Sequence, residues 1–291
     1  MKTFFTCISL LTVINFGLSQ TPPPDTDIFV FDLKEKKGKL SISNSKNVTN
    51  RKGYDNQPAF FNNDYIMYSA YENGQNDIMI VDLYDNKVTN LTNTTNTSEY
   101  SPFPMEKYNS FGTVRVEEDN TQRLWLFPME GKQSPRVVFE KIAPVGYFAW
   151  NQDQILMFVL GQPATLVKAN PNSVDDKIIT SNIGRTIKVI PDSPDFAFEK
   201  REDNGDVIIH RLNSVNNETT AIIKKPQGAS DWAITQQGTY ITSVGSKLLS
   251  YNPKRDENWV EVSDLGETGA KGITRMAVSG NNKRLALVIN Q

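Results

Sequence analysis

A short apolar cluster, an Asn/Asp/Gly-rich turn and a second apolar run recur about every 43 residues, six times along the chain. Aligned on the turn, the copies are anchored at Phe61, Met105, Trp150, Ile190, Ile234 and Val278. The clearest run from Pro58 to Tyr68, Phe148 to Phe158, Trp232 to Ile241 and Met276 to Val288, and weaker ones from Pro102 to Tyr108 and Val189 to Phe198. Each copy continues into a polar hairpin and an alternating strand, as in Glu72 to Leu83 and Glu202 to Leu212. Asn-Gly between β-branched runs marks a hairpin. A unit of this length holds four short strands, and no helical stripe follows the N-terminus. A lone sheet of that size cannot bury both faces, so the units must stack around an axis as propeller blades.

The ends provide a further constraint. Asp27-Ile-Phe-Val-Phe-Asp-Leu33 matches Asp77-Ile-Met-Ile-Val-Asp-Leu83, the third strand of a unit, yet has no first half before it. Thr274 to Asn290 reads as the missing first two strands. The expected fold is therefore all-β, a six-bladed β-propeller of four-stranded antiparallel blades, its ring closed by pairing of the N- and C-terminal strands. Closure removes the exposed edges of an open array.

At 291 residues the length alone admits one or two domains. Six units consume nearly everything after residue 26, which leaves a single propeller domain over 21–291. Before it, Lys2, the apolar run from Phe4 to Ile14 and the small residues Gly17 and Ser19 compose a secretory signal over 1–20, with cleavage after Ser19 or Gln20. The apolar run falls short of the ~20 residues of a membrane span, so no stable anchor is expected after cleavage. The destination is the periplasm or the exterior. Cys7 is the single cysteine and lies inside that segment, so the mature chain has no disulfide, thiolate nucleophile or cysteine metal site.

Charge excludes another class of partner. The mature chain sets 30 basic against 33 acidic residues with no dense basic stripe, which disfavours nucleic acid. Its one basic cluster, Lys34 to Lys39, falls on a turn after the first strand and reads as solvated loop.

Candidate chemistry is sparse. His210 is the single histidine, sits in an alternating strand of an outer blade half, and reads as structural; no Gly-x-Ser-x-Gly elbow accompanies it. Asp203 to Asp206 and Asp25 to Asp27 resemble fragments of calcium loops, but neither continues to a distal Glu, and they read as a hairpin turn and a strand lead-in. Asn47, Asn90, Asn93, Asn96 and Asn217 head Asn-x-Ser/Thr triplets, glycosylation acceptors in a eukaryotic secretory pathway; their cluster from Asn90 to Ser98 signals a polar loop between blades. Aromatics at the blade starts, Phe60, Phe61, Phe148, Trp150 and Trp232, are assigned to the core between sheets. Tyr54, Tyr100, Tyr147, Arg185, Asp231 and Arg275 differ, since each lies just before or at the beginning of a first strand and so rings one mouth of the central channel. A mixture of Tyr, Arg and Asp there suits a peptide or polar partner.

The copies resemble the TolB-type propeller repeat, in which an aromatic-containing strand, a Ser-Pro-Asp-Gly turn and a second apolar strand lead to Asp-(apolar)-(aromatic)-x-(apolar)-Asp-Leu and Leu-Thr. Gln57, Pro58, Phe61, Ile66 to Ser69, Asn76 to Leu83, Leu91 and Thr92 fall where that pattern puts them, and Ser279 to Val288 is a second good match. The turn tetrad itself is divergent, reading Asn62 to Tyr65, Asn151 to Gln154, Thr235 to Gly238 and Ser279 to Asn282. The resemblance implies export, six blades and binding of an envelope protein or peptide at the channel mouth. Enzymes of that family carry an extra hydrolase domain, which has no room here. The expected function is a non-enzymatic scaffold with no cofactor and no metal. Two alternatives stay open: a calcium-dependent hydrolase of the lactonase type, and a structural module of a surface apparatus.

Overall fold

The structure, a computed structural model, describes residues 23–130, 133–173 and 175–291. The expected signal segment, with Cys7, lies outside the described residues. The chain begins with β1 (Thr26–Lys36) and β2 (Lys39–Asn47). The first complete blade follows as β3 (Asp55–Phe60), β4 (Tyr65–Glu72), β5 (Gln75–Asp82) and β6 (Val88–Asn90), and the second as β7 (Ser98–Met105), β8 (Ser110–Val116), β9 (Gln122–Pro128) and β10 (Arg136–Val137). The third comprises β11 (Val145–Asn151), β12 (Gln154–Val159), β13 (Thr165–Ala169) and β14 (Asp176–Ser181). The fourth comprises β15 (Ile183–Val189), β16 (Phe196–Arg201), β17 (Val207–Leu212) and β18 (Thr219–Lys224). The fifth comprises β19 (Ala229–Ile234), β20 (Tyr240–Val244), β21 (Lys247–Tyr251) and β22 (Val260–Asp264), and the chain ends with β23 (Ile273–Val278) and β24 (Arg284–Asn290).

The sixth blade has the order β2-β1-β24-β23, so both termini build one sheet and the ring closes as the end motifs require. β1 and β24 pair without interruption from Thr26 opposite Asn290 to Asp32 opposite Arg284. All six repeat anchors fall within one residue of the end of a first strand. Asn73 and Gly74 take positive φ (51° and 91°) between the paired Glu72 and Gln75, the two-residue hairpin that Asn-Gly favours. The Lys34 to Lys39 cluster spans the end of β1, a turn at Lys37 and Gly38, and the start of β2, so it occupies a hairpin and not only the turn after a strand.

The core consists of interfaces between blade faces. Ile28 and Val30 of β1 and Val288 of β24 pack with Ile66, Tyr68 and Val81 of the first blade. Leu156 and Leu166 of the third blade meet Ile187, Phe196 and Phe198 of the fourth. Fully burying each such side chain contributes about 1.5–3 kcal/mol. Phe148, Trp150 and Trp232 are buried as assigned, whereas Phe60 and Phe61 are half-buried.

A repeated cap fixes the turn leaving two blades. Asp77, first in its repeat motif, accepts hydrogen bonds from Asn90 Nδ2 (2.9 Å), Thr92 Oγ1 (2.9 Å) and the Thr94 backbone N–H (3.2 Å), while Thr92 Oγ1 accepts from Ile78 N–H (2.9 Å). The equivalent Asp27 accepts from Asn47 Nδ2 (2.7 Å), Thr49 Oγ1 (3.1 Å) and Arg51 N–H (3.3 Å), and Ile28 N–H donates to Thr49 Oγ1 (3.0 Å). The Asn-x-Thr triplets at Asn47 and Asn90 are thus tied to a buried carboxylate across the blade.

Candidate functional site

Each innermost strand, β3, β7, β11, β15, β19 and β23, is the terminal strand of its sheet, leaving its inner edge unpaired toward the axis. Each also breaks register against its neighbour, at Asn56/Ala59, Tyr100/Phe103, Val145/Tyr147, Ile183/Ile187, Ala229/Trp232 and Ile273/Arg275. Such bulges re-aim side chains and sharpen strand twist. Four of them carry residues that weaken ladder pairing, Pro58, Pro102, Gly146 and Gly184, and Gln57 and Ser101 take positive φ (56° and 54°). The channel they surround holds a cavity of about 290 Å³.

Of the six residues singled out in the sequence, Tyr147, Arg185, Asp231 and Arg275 line this cavity, whereas Tyr54 and Tyr100 do not line it and stand beside it; all but Asp231 are half-buried. Burial pushes the Tyr54 phenol up to about 12; Arg275 and Arg185 oppose that, and the neighbouring phenols of Tyr147 and Tyr100 reinforce it. Tyr100 is held by Asn76 Nδ2, which donates to its hydroxyl at 2.7 Å. Arg275 donates to Tyr147 Oη (3.2 Å) and to the Thr274 carbonyl (3.1 Å), with its guanidinium 5.8 Å from the centre of the Tyr147 ring. Arg185 reaches the same Thr274 carbonyl at 3.5 Å. Two guanidinium nitrogens therefore lie closer together than the sum of those distances, and repulsion at that range is on the order of 2 kcal/mol at an effective dielectric of about 20.

Asp231 is different: it is 4% exposed, and its carboxylate accepts from Thr186 Oγ1 (2.9 Å) and the Met276 N–H (3.2 Å). It thereby ties β19 to the inner strands on both sides. Burial alone would raise its pKa, but Lys188, Arg275, the Thr186 hydroxyl and Arg185 together hold it below the usual carboxylate range. Lys188, the penultimate residue of β15, reads in the sequence as one polar position of an alternating strand and draws no attention there. It lines the cavity with Arg185 and Arg275. Among the described residues none of these three cations has a carboxylate within 4.0 Å. The mouth thus sets three cations against one buried carboxylate, within walls that include Tyr147, Phe148 and Phe103.

A second polar constellation lies between the fourth and fifth blades. Glu199 Oε2 accepts from Lys225 Nζ at 2.6 Å and from Trp232 Nε1 at 3.2 Å, and Lys225 Nζ also donates to the Ser230 carbonyl at 3.1 Å. All three side chains are buried. Gly184 leaves the space this carboxylate occupies, since a Cβ there would stand 2.2 Å from Glu199 Oε1.

The remaining sequence candidates do not line the cavity. His210, on β17, stacks on Phe198 (5.6 Å between ring centres), with Nε2 3.2 Å from Glu202 Oε1; burial lowers its pKa despite that carboxylate. Asp206 pairs with Lys224 at 2.7 Å beside the Gly205 turn, and Asp25 accepts from Gly53 N–H at 2.8 Å. Among the described residues no three His, Cys, Asp or Glu side chains are grouped to hold a metal ion, and no helix is long and apolar enough to cross a membrane.

No family sequence model matches the chain, and no curated protein matches it in sequence. Its fold is similar to that of a TolB-type protein from Agrobacterium tumefaciens (TM-score 0.69, 12% identity, 92% of this chain and 99% of that one). TolB from Acinetobacter baumannii is also similar (TM-score 0.61, 11% identity, 91% of this chain and 64% of that one). So is oligogalacturonate lyase from Vibrio parahaemolyticus (TM-score 0.59, 12% identity, 86% and 83%). At these identities the likeness is one of fold, the TolB-type six-bladed propeller, and that fold serves proteins of different function.

Proposed function

We propose that this chain is an exported, non-enzymatic propeller that binds a protein or peptide partner of the cell envelope at the strand-start mouth of its channel. The observation that carries this reading is the convergence of Tyr147, Arg185 and Arg275 on one cavity that Asp231 also lines, with Tyr54 and Tyr100 beside it. Aromatic and arginine side chains of this kind dominate interface energies. Six unpaired inner strand edges add backbone donors and acceptors that a peptide can use. The likeness to TolB proteins supports an envelope setting, and the apolar run from Phe4 to Ile14 supports export.

A calcium-dependent hydrolase draws less support. Its ion would have to sit among three cations and beside a carboxylate already engaged by Thr186 and Met276. The test is a pull-down from envelope extract with residues 21–291 beside a variant changed at Tyr100, Arg185 and Arg275. A partner kept by the unaltered chain and lost by the variant supports mouth binding. A partner indifferent to those changes would make the chain a structural module docking through its sides.

A further inference from the structure

We infer that the mouth is a carboxylate-receiving site, and that the segment it takes from its partner is an acidic peptide whose Asp or Glu side chain seats between Arg185 and Arg275, with Lys188 deeper in the cavity. The inference rests on the mouth-binding reading and adds the chemistry of the ligand. Three observations lead to it. First, Arg185 and Arg275 approach the single Thr274 carbonyl, an arrangement of like charges that a bridging anion relieves. Second, the cavity already holds one carboxylate, and that group displays the recognition on offer: Asp231 takes one hydroxyl and one backbone N–H, and the three surrounding cations keep it ionised. One carboxylate leaves the cluster under-neutralised by two charges. Third, the neighbouring surface is not a phosphate cradle or a bare basic patch. Tyr147 stacks under Arg275, Phe103 and Phe148 pack 5.6 Å apart, and the inner strand edges are unpaired. Aromatic faces, backbone partners and a charge-assisted fork together fit a short extended peptide with one or two acidic side chains.

The unpaired hydroxyl oxygens Ser101 Oγ and Thr274 Oγ1 belong to the same bulges. Both are buried at the atom level without a partner, and both sit at the register breaks that shape the mouth.

The test uses the full propeller and a fluorescein-labelled hexapeptide, Gly-Asp-Glu-Asp-Glu-Gly, against its amide counterpart Gly-Asn-Gln-Asn-Gln-Gly, read by anisotropy at low and at physiological salt. The acidic peptide is expected to bind at least about tenfold more tightly than the amide peptide, with an affinity that weakens as salt rises. Arg185→Gln and Arg275→Gln are each expected to weaken it about tenfold or more. Removing one guanidinium also relieves the like-charge contact, so the melting temperature of Arg185→Gln should stay level or rise while binding is lost. A purely structural arginine would instead lower it.

Equal binding of the two peptides, no binding of the acidic one, or an acidic peptide indifferent to both substitutions overturns the inference. So does displacement by a galacturonate oligomer that binds the mouth more tightly than the acidic peptide, since the carboxylate would then come from a sugar. The two readings fail separately. Loss of the envelope partner in a Tyr54, Tyr100 and Tyr147 triple alanine variant, with no effect of the arginine changes, keeps mouth binding and removes the carboxylate.

Discussion

Replacing Glu199 by glutamine should unseat the junction of the fourth and fifth blades. The carboxylate and the Lys225 ammonium are buried against each other at 2.6 Å, and glutamine preserves the shape while deleting the charge. Lys225 would keep only the Ser230 carbonyl as a strong acceptor, so a buried ammonium loses its counter-ion. Breaking a buried pair in this way costs about 3–5 kcal/mol, and retention of a Trp232 bond by the amide oxygen puts the expected value near the lower end. For a chain of this size that is a fall in melting temperature of roughly 6–10 °C. Urea denaturation of wild type, Glu199→Gln, Glu199→Met, Lys225→Met and the Glu199→Met/Lys225→Met double variant supplies the cycle, with the two methionine singles as its arms. The double variant leaves no charge stranded and should recover all but about 1–2 kcal/mol. A single-variant loss under about 1 kcal/mol, or a double variant whose loss equals the sum of the singles, would refute the reasoning.

Gly184→Ala should produce a related defect, because its Cβ displaces the Glu199 carboxylate; a stability loss within about 0.5 kcal/mol of zero would contradict that packing. Asp77→Ala strands the donors of Asn90, Thr92 and Thr94 and should cost about 2–4 kcal/mol in chemical denaturation, with faster hydrogen exchange at Thr94. Asp55 supplies a pH signature. Burial, against the opposing Arg51, raises its folded pKa from 3.8 to about 6. The folded state therefore binds the proton more tightly, and this group's contribution to stability falls as pH rises from about 4 to about 6. Asp55→Asn should remove that component, so the wild-type-minus-variant stability difference declines across the window; a difference that is flat or rises would contradict the shift.

The ring was legible because its signals are local. Alternation, Asn73-Gly74 and the Asp27 to Leu33 motif each depend on a few adjacent residues, and the unmatched half-unit at each end required closure. The positions of Tyr54, Tyr147, Arg185 and Arg275 at first-strand starts were legible for the same reason. Their chemistry was not. Arg185 and Arg275 meet only because two bulged strands on different blades turn toward one carbonyl, and the Pro58, Pro102, Gly146 and Gly184 that hint at bulges do not say which way a side chain is re-aimed. Asp231 read as a mouth residue, and its burial depends on Thr186 and Met276, each 45 positions away. Lys188 was hidden by alternation, which marks it as polar without distinguishing solvent from channel. Glu199, Lys225 and Trp232 gave no joint signal, since their contact is made between blades. The Asn47 and Asn90 triplets read as acceptors or loop, although the spacing from Asp27 to Asn47-x-Thr49 and from Asp77 to Asn90-x-Thr92 carries the cap.

Site-specific photo-crosslinking in the cell envelope tests mouth binding most directly. A photoreactive phenylalanine would replace Tyr147 at the mouth, Tyr54 beside it, or Tyr84, which is 94% exposed on a β5–β6 turn remote from the channel. Mouth binding gives a discrete protein or peptide adduct from positions 147 and 54 and none from 84, whereas an adduct confined to position 84, or none at the two mouth positions, would contradict it.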